Sequence, residues 1–89
     1  MTNIRLFGSS GCINCLEAIK MIKNANLDIQ YVDALNPNEK VQNFCDEYNV
    51  DELPHIQFIE DDSIVYEHIG EVNESLENLI KFFQMKDKI

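Results

Sequence analysis

Two cysteines with two residues between them, Cys12 and Cys15, are the side chains in this chain best suited to chemistry. A thiolate is both a nucleophile and a metal ligand, and its surroundings decide which role it plays. The pair stands where a short apolar run, Ile4 to Phe7, passes through Gly8-Ser9-Ser10-Gly11 into a helical pattern in which Leu16, Ile19 and Ile22 sit three apart. The spacing predicts a strand, then a turn that exposes Cys12, then a helix opening at Cys12. The first turn of a helix carries unpaired N–H groups and the positive end of the helix dipole. A thiolate at Cys12 is therefore stabilised and its pKa falls towards neutrality. Cys15, one turn further in, faces the same side and can close a disulfide with Cys12. Such a pair performs thiol–disulfide exchange, with the more exposed Cys12 attacking and Cys15 resolving. A C-x-x-C next to a β-α-β pattern reads as a redox motif.

The remaining metal-ligand types are few: Cys45, His55 and His68. Tetrahedral zinc takes four ligands, commonly two close pairs, and only one such pair exists here. No metal is expected. Cys45 falls on the apolar face of a helix and reads as a small buried hydrophobe. His55 is expected as a packed or hydrogen-bonded histidine of a central strand, with a place beside the thiols as the alternative. His68 is expected near the surface of a strand. Tyr31, Tyr48 and Tyr66 read as core or rim.

The elements that must hold the pair alternate along the chain. Strands are expected at about 3–7 and 29–33, with a helix over 12–24 between them. Asn36-Pro37 is a helix start, with Asn as cap and Pro at the first helical position. Val41, Phe44, Cys45 and Tyr48 then mark the buried face of a second helix. Ile56-Gln57-Phe58-Ile59 and Ile64-Val65-Tyr66, joined by Glu60-Asp61-Asp62-Ser63, form an antiparallel hairpin. Gly70 punctuates. Asn73 caps a third helix whose buried face is Leu76, Leu79, Ile80 and Phe83. Glu74 and Glu77 suit its positive end, and Lys81, Lys86 and Lys88 its negative end. The order β-α-β-α-β-β-α implies an α/β fold with a four-stranded mixed sheet and three helices on its faces, its parallel crossover right-handed.

Composition bounds the function. Eighty-nine residues make a single domain, 1–89. The formal charge is −9, and twelve of the sixteen acids lie between Glu39 and Glu77. Nucleic acid is excluded as a partner, since no basic stripe could meet phosphates. No apolar run reaches membrane-spanning length, and no secretory leader is seen. A cytoplasmic, reducing setting is the expectation, where a close cysteine pair is catalytic rather than structural.

Together, Cys12-Ile13-Asn14-Cys15 at a helix start, Leu53-Pro54 before the third strand, and Gly70 after the fourth resemble the thioredoxin-fold superfamily over nearly the whole chain. The resemblance implies a thioredoxin-like fold, a cis Leu53-Pro54 bond beside the cysteines, and a Leu53 backbone that pairs with an extended substrate segment. It assigns catalysis to Cys12 and Cys15, and substrate binding to Leu53, Pro54 and Gly11. The implied activity is reduction of protein disulfides, by a monomer without a bound cofactor, recharged by thioredoxin reductase or glutathione. The length resembles glutaredoxins and small glutaredoxin-like thioredoxins. The chain departs from both branches. It has no Trp, carries Ile13-Asn14 between the cysteines, has Ser10-Gly11 where glutaredoxins often carry Lys, and offers one Gly before Glu71. Asp33 is the counterpart considered for the buried acid of thioredoxins. Two alternatives remain: a non-catalytic interaction module on the same scaffold, and a metal- or iron–sulfur-binding glutaredoxin-like protein.

Overall fold

The computed structural model describes residues 2–87. The order is β1 (Thr2–Gly8), α1 (Ile13–Asn24), β2 (Ile29–Asp33), α2 (Glu39–Glu47), β3 (His55–Glu60), β4 (Ser63–Ile69) and α3 (Glu74–Asp87). The strands form one sheet in the order β2-β1-β3-β4. β1 pairs with β2 in parallel and with β3 antiparallel, and β3 pairs antiparallel with β4. This is the four-stranded mixed sheet with three helices that the alternation of patterns predicts.

Each strand splits its side chains between two faces, because the side-chain period of a strand is two residues. Ile4 and Leu6 of β1 and Ile56 and Phe58 of β3 point to one face. There they pack with Ala18 and Ile22 of α1 and with Leu76, Ile80 and Phe83 of α3. Phe58 and Phe83 meet edge to face at 5.3 Å. Phe7 belongs to the other face and contacts Phe44 and Tyr48 from the α2 side, with centroids at 5.4 and 6.2 Å. The central strand β3 is covered on both faces, so its polar residues His55 and Gln57 are buried along with Ile56, Phe58 and Ile59.

The turns follow their residues. Asp61 and Asp62 both hold positive φ, 50° and 66°, as a two-residue hairpin loop requires. Asn73 caps α3 by accepting from the Leu76 N–H at 3.2 Å. The second helix starts later than Asn36-Pro37 suggests. Asn38 is its cap, accepting from the Lys40 N–H at 2.8 Å. Asn36 accepts from the Asn38 N–H at 2.9 Å and so shapes the approach.

Other expectations are adjusted by packing. Leu16 is 53% exposed, and the buried stripe of α1 is Cys15, Ala18 and Ile22. His68 is buried, with Nε2 at 2.8 Å from the Glu71 carbonyl oxygen. Lys86 reaches across to the Glu60 carboxylate of β3 at 2.8 Å, and this hydrogen bond raises its pKa. Lys81 pairs with Glu77 one turn earlier. Lys88 lies outside the described residues.

Candidate active site

Cys12 and Cys15 are joined as a disulfide, their Cα atoms 5.2 Å apart. Cys12 is the residue before the helix rather than its first residue. It has extended backbone angles and caps α1, its sulfur accepting from the Cys15 N–H at 3.1 Å. The Cys12 N–H donates in turn to the Ser9 carbonyl at 3.2 Å, which closes the turn across Ser10 and Gly11. The first turn of α1 contains no acidic residue to oppose a thiolate. Cys12 is partly exposed, while Cys15 is fully buried. Gly11, Ile13 and Leu16, close to Cys12 in sequence, are exposed. Beside them a groove of about 450 Å³ is lined by Ser9, Ser10, Leu16, Ile19, Lys23, Ile29 and Tyr31.

The sheet register carries Leu53 and Pro54 to the same end of the molecule. His55 lies opposite Phe7, so Pro54 arrives at the level of Gly8, the last residue of β1 before the cysteine turn. The Leu53-Pro54 bond is cis. Pro54 is buried, Leu53 is half-buried, and the Pro54 carbonyl accepts from the Gly70 N–H at 2.9 Å. The Leu53 N–H and C=O form no hydrogen bond with the described residues. Gly70 sits at φ +95°, a conformation few other residues adopt, and the Glu52 carboxylate packs where its Cβ would be.

Gly8 contributes in a way the sequence reading missed. Taken there as part of the turn, it ends β1, and a Cβ on it would stand 3.1 Å from the Cys15 sulfur and 3.2 Å from the Cys15 Cβ. Its missing side chain lets α1 bring Cys15 against the strand. The available signal was its place directly after the apolar run.

His55 is a buried core histidine, as expected. Its Nε2 pairs with a Glu67 carboxylate oxygen at 2.5 Å and its ring meets Phe7 edge-on at 5.7 Å. Cys45 is 7% exposed, and burial, followed by the nearby Asp46 carboxylate, pushes its thiol pKa up. Asp33 is exposed and accepts from the Leu35 N–H at 3.1 Å, so it is not a buried acid. Tyr31, 45% exposed, is a rim residue. Among the described residues no group of three or more His, Cys, Asp or Glu side chains is placed to hold a metal ion. No helix among them is long and apolar enough to cross a membrane.

No protein-family model and no curated protein sequence matches the chain significantly. Solved structures do match. Oxidized thioredoxin O2 from Arabidopsis thaliana gives a TM-score of 0.74 at 18% identity, over 92% of this chain and 74% of that one. The chain has the thioredoxin fold. Oxidised thioredoxin from Plasmodium falciparum gives 0.72 at 18% identity, over 93% and 81% of the two chains. Thioredoxin 1 from Thermosipho africanus gives 0.67 at 16%, over 96% and 98%. The thioredoxin fold is thus shared at nearly full length, with few residues in common.

Proposed function

We propose that this protein is a small dithiol oxidoreductase that reduces protein disulfides. The observation that carries the reading is the Cys12–Cys15 disulfide at the mouth of α1, with one sulfur partly exposed and the other buried. In the reduced protein the Cys12 thiolate keeps the Cys15 N–H as a hydrogen-bond donor and gains from the helix dipole. It attacks one sulfur of a target disulfide, forming a mixed disulfide and expelling the other sulfur as a thiolate. Cys15, deprotonated, attacks the Cys12 sulfur and expels the second target thiolate, which is protonated. Two electrons have passed to the target, and the Cys12–Cys15 disulfide remains. An external dithiol or thiol reductant restores the pair; thioredoxin reductase and glutathione are the two candidates.

Burial gives the order of attack. A sulfur sealed under the helix cannot reach a bulky target, but it can reach its bonded neighbour. The unpaired Leu53 backbone offers a short edge for the target segment, as in strand addition, with Pro54 next to it in the chain and Gly11 next to Cys12. The test is insulin reduction with dithiothreitol as electron source. Cys12→Ser should abolish turnover, and Cys15→Ser should accumulate a mixed disulfide visible by mass spectrometry. Full turnover in Cys12→Ser would sink the assignment.

A further inference from the structure

The cysteine pair lies on a boundary between two kinds of surface. On the α1 side stand exposed Ile13 and Leu16, followed by one acid, Glu17, and two bases, Lys20 and Lys23. On the Leu53 side the sequence holds no Lys or Arg at all between Lys40 and Lys81, but eleven acids. Three of those carboxylates are placed at the substrate edge itself. Asp51 and Glu52 are exposed and lead directly into Leu53. Glu71 is exposed and follows Gly70, whose N–H is bonded to the Pro54 carbonyl. Glu52 is held against Gly70, so its carboxylate is not a free-swinging surface charge.

Among the described residues, three cations are engaged elsewhere. Arg5 is occupied with the Gln57 side chain at 2.8 Å and lies over the Phe44 and Tyr48 rings. Lys81 pairs with Glu77 within α3, and Lys86 of α3 pairs with Glu60 of β3. A segment that seats its backbone on Leu53 therefore brings its side chains among Asp51, Glu52 and Glu71. Like charges forced together there cost binding and slow encounter, and opposite charges speed it.

We infer that the disulfide targets of this site are segments carrying Lys or Arg beside the reactive cysteine, and that anionic disulfides and thiols are disfavoured. This rests on the reductase reading of Cys12 and Cys15, and it names the substrate class of that same site. The carboxylates set the sign of the preference, while the Leu53 edge and the disulfide supply the site. An anionic tripeptide thiol such as glutathione meets the same carboxylates, so a protein dithiol reductase is the favoured electron source.

The experiment uses the full chain and two peptides with the same intramolecular disulfide, one flanked by Lys and one by Glu. Each reduction rate is divided by the rate with dithiothreitol, which removes the intrinsic reactivity of each peptide. At low ionic strength the Lys peptide should react about tenfold faster, and the ratio should collapse in 0.5 M salt, where the Debye length is only about 4 Å. The Asp51→Asn/Glu52→Gln/Glu71→Gln variant should lose the ratio without added salt. Any change that these charges make in Cys12 nucleophilicity affects both peptides equally and cancels. A ratio near one in the unaltered protein, or a ratio that survives in the variant, overturns the inference and leaves the reductase reading intact. Reduction of neither peptide overturns both.

Discussion

Replacing Gly8 by Ala puts a methyl group where the structure has no room. The new carbon would stand 3.0 Å from Leu6 Cδ2, 3.1 Å from the Cys15 sulfur and 3.2 Å from the Cys15 Cβ. Comfortable carbon contacts begin near ~3.5 Å, so several tenths of an ångström must be found. Leu6 Cδ2 is the end of a flexible side chain and can turn away. Cys15 cannot easily follow: it is fully buried, lies in the first turn of α1 and is tied to Cys12. Overpacking of this kind costs about 1–3 kcal/mol. Against it, Gly to Ala restricts the unfolded chain and returns about 0.4–1 kcal/mol. The net loss should be about 1–2 kcal/mol in the oxidised protein. With a urea slope of about 1 kcal/mol/M for a chain this small, the unfolding midpoint should fall by roughly 1–2 M. The reduced protein should suffer less, since its Cys15 side chain is free to rotate. If about 1 kcal/mol of the strain belongs to the oxidised form alone, the Cys12–Cys15 pair becomes easier to reduce by about 20 mV. Urea titration of both redox forms and equilibration with a glutathione redox buffer read these quantities. A midpoint that stays put or rises in Gly8→Ala would show that Leu6 relieves the contact alone and that Gly8 does not position Cys15.

Three further outcomes are expected. Arg5→Met should destabilise the fold by about 1–3 kcal/mol in urea titration, because the buried Gln57 side chain loses its partner for Oε1 and already has an unpaired Nε2. Asn38→Ala should cost about 1 kcal/mol through loss of the α2 cap and Asn36→Ala less, as thermal melts will show. Cys45, the one free thiol of the oxidised protein, should resist a thiol-directed dye at pH 7–8 and react stoichiometrically once the chain is unfolded. Its folded pKa is raised, so its contribution to stability is complete below the unfolded thiol value of about 8.5 and is lost as pH rises through the folded value. A urea midpoint that falls above that pH, and falls less in Cys45→Ala, is the matching equilibrium measurement.

Local patterns in the chain were sufficient for the order of elements and for the two thiols, whereas the role of Leu53-Pro54 came only from the resemblance. Periodicity, turn residues and a short cysteine spacing act over a few residues, and the sheet merely assembles what they specify. Asp61 and Asp62, Asn73, and the Leu76–Phe83 stripe all behave as their immediate neighbours demand. Tertiary packing decided what depends on residues distant in sequence. Leu16 fits a helical stripe as well as Ala18 does, but only the angle at which α1 lies on the sheet shows that Ala18 is inside and Leu16 outside. Asn36 and Asn38 are equally good caps by residue type, and only the folded chain shows that Asn38 is the one used. Asp33 ends a strand at the sheet edge and so meets water, while His68 lies under the Glu71 carbonyl and does not. The need for glycine at position 8 is invisible locally, because the atom that excludes a side chain there, the Cys15 sulfur, is brought against the strand only by folding.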